Sequence, residues 1–385
     1  MKLLKYTKKL WEGEPFRFII LTFIIWRISL FLVLTLALLL IPLNSANFLG
    51  GGVERYLDNP YLFAWANFDG EHYLSIAQNG YQSLTHSFFP VYPLIIKAFS
   101  FLSINLNILT VVGLMISNIS FILSLFLLWK LITLDYSEKV AKYALVSLLL
   151  FPTSFYFGSL YTGSFFFLIL LGSFYLVRIN RWWWGGFLGG IATGTRINGI
   201  LLLPVFLLEW FTLKNRPSLL PILLVPVGLL LYMFYLYQTT GSLLTFYSEL
   251  SVFGEQRQGG FVTLPRVFYR YLNMLFTVNL NTTIYWTVVA EFVSAVLIIM
   301  LLIYGFIKKM RLSYLLFGSI SLLLPTLTGS FSSLPRYSLL IFPIFISLGI
   351  FMSTRGNLAK VLFYLSSSVL LIIESTLFLR GYWVA

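Results

Sequence analysis

From Phe16 to Ile41 the chain runs apolar for about 25 residues, and runs of this kind recur as far as Leu379. A hydrocarbon core about 30 Å thick needs roughly 20 apolar residues per helical crossing, so several of these runs are long enough to span. Alternating apolar and polar segments of about ten residues, the mark of a transmembrane barrel, are absent, which leaves helices. Hydrophobic residues make up 59% of the sequence and charged residues 10%, against about a quarter charged in a soluble domain. The sequence therefore predicts an all-α polytopic membrane protein. With no internal repeat, low-complexity tract or soluble module, residues 1–385 read as a single integral-membrane domain.

A net charge of +13 suggests nucleic acid in a soluble protein. Here Lys and Arg concentrate in short connecting segments, where they orient the spans, so no nucleic-acid partner is expected. Attraction to anionic lipid headgroups is the second reading of the same charge. There is no cysteine, hence no disulfide, thiolate nucleophile or cysteine metal site. A divalent cation such as Mg²⁺ or Mn²⁺ would need oxygen ligands, and no such set is visible, so no metal ligand is assigned.

The basic stretch before Phe16 precedes a run without a small-residue cleavage site, which reads as a retained first span with a cytoplasmic amino terminus. Arg27 lies inside that span, where a charge is expected to face the interior and a partner, or else to snorkel to the surface. Residues 42–103 then form a large first extracytoplasmic loop. Spans follow at about 105–134, 143–158 and 160–177. The stretch 182–210 decides the rest. Taken as one crossing, it puts Lys214, Arg216, Lys308, Lys309 and Arg311 outside, against the positive-inside rule. Taken as two short helices meeting at Thr193 to Gly199, it returns them to the cytoplasm, and its glycines permit irregular backbone that lines a cavity. With spans at about 219–237, 284–307, 312–327, 337–352 and 361–379, the expectation is about eleven membrane-entering helices. The loops 239–283 and 329–336 then join the first loop outside, the former packed on the outer surface.

Polar chemistry concentrates in Asn67–Pro93, which holds one of three aspartates, Asp69, with Glu71 and both histidines, His72 and His86. The expected topology adds Arg196, then Arg336 with Tyr337, on the same side. One carboxylate and two arginines suit transfer of a sugar from a phosphate leaving group. A glycosidase needs two carboxylates, whereas phosphate departs as a stable anion that arginine stabilises. The carboxylate takes the proton of the attacking hydroxyl, and the anomeric configuration inverts.

The strings FDGEHYLSIAQNGY and FFPVYPLI, with ATGTRINGILL, SLYTGSFFF and LPRYSLLIFPIF, resemble in order and content the PIG-V mannosyltransferases. Gly163 stands where that pattern usually has Glu. The resemblance spreads from Asp69 to Pro343 and implies a GT-C-like bundle that uses a polyprenyl-phosphate mannose donor, typically dolichyl phosphate, and a lipid- or protein-linked acceptor. It implies Asp69 as the base and Arg196 and Arg336 as the family's arginines, at the donor phosphate. His72, one helical turn from Asp69, reads as a group that orients Asp69 or contacts the donor phosphate, and Tyr337, Asn198 and Tyr161 read as substrate contacts. The active site would face away from the cytoplasm, at the cell membrane of a prokaryote or the endoplasmic reticulum of a eukaryote.

Each residue has a plainer alternative. Asp69 is also a good helix N-cap for the segment that follows. Glu71 is expected to be solvated, since adjacent helical positions do not share a face. His72 and Arg336 also suit the membrane interface, and Arg196 pairing with Glu291. The competing function is a transporter or lipid flippase with Arg27, Arg196, Glu291 and Glu374 as its polar path. A non-catalytic partner subunit is the third.

Overall fold

With no water in hydrocarbon to satisfy backbone groups, the apolar runs fold as helices. The computed structural model describes residues 14–46, 48, 52–100, 105–249, 262–327 and 329–384, and no strand occurs among them. The helices are α1 (Glu14–Leu40), α2 (Gly52–Asp58), α3 (Pro60–Phe63), α4 (Asp69–Asn79), α5 (Val91–Phe99), α6 (Leu106–Thr133), α7 (Glu138–Leu149), α8 (Thr162–Arg178), α9 (Trp182–Thr195), α10 (Leu202–Thr212), α11 (Val227–Thr240) and α12 (Thr245–Ser248), followed by α13 (Leu264–Thr277), α14 (Thr283–Ile307), α15 (Leu312–Thr326), α16 (Leu334–Tyr337), α17 (Phe342–Ser353) and α18 (Asn357–Leu379).

Among the described residues five helical segments are long and apolar enough to cross a membrane: those of α1, α6, α14 and α18, and Ile222–Thr240, in which a 3₁₀ turn at Ile222–Leu224 runs into α11. The bent pair Leu334–Leu340 and Phe342–Ser353, which meet at 79°, makes a sixth if it counts as one span. The protein is thus a helical, multi-pass integral-membrane protein. Other expected spans are shorter apolar helices, Thr162–Arg178, Ile197–Thr212 and Leu312–Thr326. The span expected at 143–158 is instead α7, of 12 residues, followed by a 3₁₀ turn at Ser154–Gly158. At 1.5 Å per residue α7 is about 18 Å long, short of the hydrocarbon thickness.

α1 shows how the bundle divides core from lipid. Ile19, Trp26, Leu30, Leu34 and Ala37 form one buried stripe at helical spacing, while Leu21, Ile25, Ile28, Leu32 and Leu39 point outward. Removing a fully buried side chain such as Leu34 down to Ala costs about 2–5 kcal/mol. Arg27 lies within this helix against Trp65, its guanidinium 4.2 Å from the ring. It faces the interior as expected, but through an aromatic ring rather than an acid, and its Nη1 is buried without a hydrogen-bond partner among the described residues.

At Arg196 the chain reverses. Arg196 is extended (φ −154°, ψ 147°) between α9 and a 3₁₀ turn, Ile197–Leu201, that leads into α10. α10 returns along α9: Phe206 on α10 packs on Trp182 at the start of α9, with ring centroids 6.3 Å apart. The turn is tight because position 199 lacks a side chain; a Cβ there would lie 2.5 Å from the backbone of Ala192 and Thr193. A second close approach holds α9 to α11, where a Cβ on Gly228 would lie 2.0 Å from the Gly190 carbonyl oxygen. The broken pair expected over 182–210 is thus a helical hairpin, α10 ending at Thr212.

α8 measures the separation of the two ends of the bundle. Its first residue, Thr162, meets Arg196, and its last, Arg178, is bidentate to Asp135 at 2.7 Å. Sixteen helical steps place these ends about 24 Å apart. Glu209 joins Arg178 and is chelated by Arg311, so the ends of α6, α8 and α10 and the start of α15 meet at one end of the bundle. Asp69, Arg196 and Arg336 lie at the other.

Candidate functional site

The polar loop around Asp69 is folded, not loose. The 3₁₀ turn Ala64–Ala66 is clamped when Trp65 O accepts the Leu160 amide at 2.8 Å. Asn67 Nδ2 donates to Phe378 O on α18 at 2.9 Å, and Tyr161 Oη donates to Asn67 O at 2.9 Å. These anchors hold Phe68 at φ 57°, a conformation that side chains larger than glycine rarely adopt. Its ring packs on Phe378 and Trp383. α4 starts directly after this bend, and Gly70 lets its first turn lie on the Leu160 carbonyl, 3.2 Å from where a Cβ would stand.

Asp69 is therefore the first residue of α4, and Phe68 takes the cap position without any side-chain cap bond. The capping alternative does not hold, since the Asp69 carboxylate is turned to a cation: Arg336 Nη1 donates to Oδ2 at 2.7 Å. Arg336 stands among Tyr156, Tyr161 and Tyr337, whose ring centroids lie 5.3–5.6 Å from its guanidinium carbon. Arg196 comes to the same place from the α9–α10 reversal. Its Nη1 donates to Thr162 Oγ1 at 2.8 Å, and its guanidinium lies 5.5 Å from the Tyr337 ring.

These residues line a cavity of about 400 Å³, within the range of about 300–1,000 Å³ typical of small-molecule sites. Asp69, His72, Arg196, Asn198, Arg336 and Tyr337 all reach it, with Phe88, Phe89, Tyr247 and Trp383 supplying apolar wall. Tyr161, expected among the substrate contacts, is not in that wall. It is buried, with its hydroxyl spent on Asn67 and its ring beneath Arg336.

His72 stacks on Phe88 with centroids 4.4 Å apart. Burial lowers its pKa from the ordinary 6.5, and the nearby Asp69 carboxylate pulls the other way. At neutral pH it thus offers the cavity a hydrogen bond rather than a charge. Burial pushes the neighbouring Tyr73 phenol up to about 12, with Arg196 opposing and Asp69 adding to the rise, so it stays protonated beside Thr162 Oγ1, 3.3 Å away.

Other sequence expectations are redirected. Glu71 is not solvated. Its side chain is buried against Gly52 and lies 3.8 Å from Arg55, on the side of α4 away from the cavity. Glu291 does not pair with Arg196; it accepts from Tyr271 Oη at 2.5 Å and the Ser333 amide at 3.1 Å. His86 Nδ1 lies 2.8 Å from Glu249 Oε1, which ties the first loop to the 239–283 segment over the cavity. Glu255 and Arg257 of that segment lie outside the described residues. At Gly163 a Cβ would meet only the Phe157 ring, at 3.9 Å, so packing does not require glycine there. Tyr156 and Trp383 join the site without any prior sequence signal, and Thr162, inside the SLYTGSFFF string, without an assigned role, because a hydroxyl or ring in an apolar run looks like ordinary packing until the chain is folded.

Among the described residues no three His, Asp or Glu side chains gather as a metal site. Fold and site together define a multi-pass helical membrane protein with one acid and two arginines on an aromatic-walled cavity at one end of the bundle. Comparison with family models, curated proteins and solved structures returns no match.

Proposed function

We propose that the protein is an inverting glycosyltransferase that moves mannose from a polyprenyl-phosphate donor to a lipid- or protein-linked acceptor at the non-cytoplasmic membrane face. The observation that carries this reading is the meeting of Asp69, Arg196 and Arg336, from three distant segments, on one cavity wall. An acid alone suits many hydrolases; an acid beside two guanidinium groups suits departure of a phosphate.

In the reaction, the acceptor hydroxyl is hydrogen-bonded to the Asp69 carboxylate and attacks the anomeric carbon opposite the phosphate. A new C–O bond forms as the bond to the phosphate oxygen breaks. The electron pair leaves with the lipid phosphate, and the hydroxyl proton passes to Asp69. Arg196 balances the growing charge on the phosphate, and Arg336 both fixes the Asp69 carboxylate in position and faces the same space. His72 supplies a neutral hydrogen bond, and the Phe88, Tyr337 and Trp383 rings suit the apolar faces of a pyranose. Of the residues a transport path would use, Arg196 alone lines this cavity; Glu291 is sequestered by Tyr271 and the Ser333 amide.

The test is sugar transfer from a polyprenyl-phosphate mannose donor by reconstituted protein. Asp69→Asn keeps the shape and removes the base, so transfer drops by about 10²–10⁴-fold. Transfer near the wild-type rate, or movement of lipid across vesicles without any sugar transfer, overturns the reading.

A further inference from the structure

A second groove lies outside the Asp69 cavity, along α13. It encloses about 340 Å³ and is lined by Arg266, Tyr269, Arg270, Asn273 and Thr277, with Gly329 across from them. Arg266, Arg270, Asn273 and Thr277 follow one another at four, three and four residues, which puts all of them on a single stripe of the helix. Among the described lining residues there are two guanidinium groups and no carboxylate. Arg270 Nη1 donates to Gly329 O at 3.1 Å, which fixes that side chain over the turn.

The rest of the helix says where the stripe sits. On one flank Val267 and Tyr271 are buried in the bundle. On the other, Tyr269, Leu272 and Phe276 point outward, Phe276 with 88% of its surface exposed. A polar stripe between a packed face and an exposed apolar face is the pattern of a helix lying in the membrane interface. The position agrees, since the spanning helix α14 begins six residues after α13 ends.

We propose that this groove binds the phosphate of a membrane-lipid headgroup, as a site separate from the Asp69 cavity. Two arginines four residues apart present paired N–H donors to phosphate oxygens, and Tyr269 and Asn273 add neutral donors beside them. The outward Leu272 and Phe276 suit acyl chains, which a soluble phosphate lacks. The groove and the cavity share one turn. Gly329 lines the first and Ser332 the second, three links apart and so at most about 11 Å between Cα atoms. Tyr271 on α13 accepts the Phe331 amide in that turn at 3.1 Å.

The test is binding of short-chain phosphatidic acid to the full-length protein in phosphatidylcholine nanodiscs. It is made in an Arg196→Gln background, which removes the cavity arginine that is not bonded to Asp69 and leaves Arg336 paired with that carboxylate. Saturable binding is expected, at least tenfold weaker in Arg266→Gln/Arg270→Gln and also in Arg266→Glu. The latter changes only an exposed side chain and leaves the Arg270–Gly329 bond intact. No saturable binding in that background, or binding untouched by either change, overturns the site. Displacement by inorganic phosphate at equal concentration overturns the lipid headgroup as its ligand. No sugar transfer is measured, so the outcome is independent of the transferase reading.

Discussion

Arg336 holds Asp69 across 267 positions of sequence, with Nη1 2.7 Å from Oδ2 and both side chains largely withdrawn from solvent. Removing one member of such a pair leaves the other charge without its partner in a poorly solvated place. Arg336→Ala is expected to destabilise the protein by about 3 kcal/mol, and Arg336→Lys by less, since it keeps the charge but loses the planar fork. A double-mutant cycle with Asp69→Asn and Arg336→Gln, read by thermal unfolding in detergent, should show coupling of about 1–3 kcal/mol. Strict additivity would mean that the two do not interact.

Burial lowers the pKa of His72 below its ordinary 6.5. The unfolded chain therefore binds more protons than the native protein just below that pH, and stability falls as pH drops from about 6.5 through the lower native value. Unfolding temperature should decline over that window in the wild type, and less steeply in His72→Gln. The His86–Glu249 pair is common to both proteins, so the difference isolates His72. Parallel curves would show that His72 stays as solvated in the fold as in the open chain.

Two glycines are expected to respond oppositely to alanine. At Gly228 a Cβ would stand 2.0 Å from the Gly190 carbonyl, so Gly228→Ala must push α9 and α11 apart and costs about 1–3 kcal/mol. At Gly163, in the first turn of α8, the new methyl meets only the Phe157 ring, and Gly163→Ala stabilises by about 0.4–1 kcal/mol. Denaturant or thermal unfolding of the two variants checks the pair.

The hairpin at Arg196 sets the sidedness of everything after it. The chain has no cysteine, so single cysteines report cleanly. Ser83→Cys should react with a membrane-impermeant thiol reagent from outside intact cells, and Lys214→Cys and Lys308→Cys only after permeabilisation. Labelling of all three from outside would mean that α9 and α10 cross the membrane as one unit.

How much was legible beforehand follows from range of interaction. Apolar length and sparse charge marked out membrane helices, because a hydrocarbon phase asks the same of any segment whatever its neighbours. The basic connecting segments, with six glycines over 185–199, pointed to the reversal at Arg196 for an equally local reason. Where local rules competed, the outcome lay elsewhere in the molecule. Asp69 is a good cap by its neighbours' pattern, yet Phe68 takes that position because Asn67 and Tyr161 tie the bend to α18 and α8. Glu71 looks like a solvated side chain until Arg55 and Gly52 close over it.

That Arg336 meets Asp69 while Arg196 meets Thr162, or that Trp383 walls the cavity, could be decided only by folding. Each of these contacts joins residues tens to hundreds of positions apart. Which cation reaches which acid depends on how helices pack in three dimensions, and no pattern in a single segment carries that information.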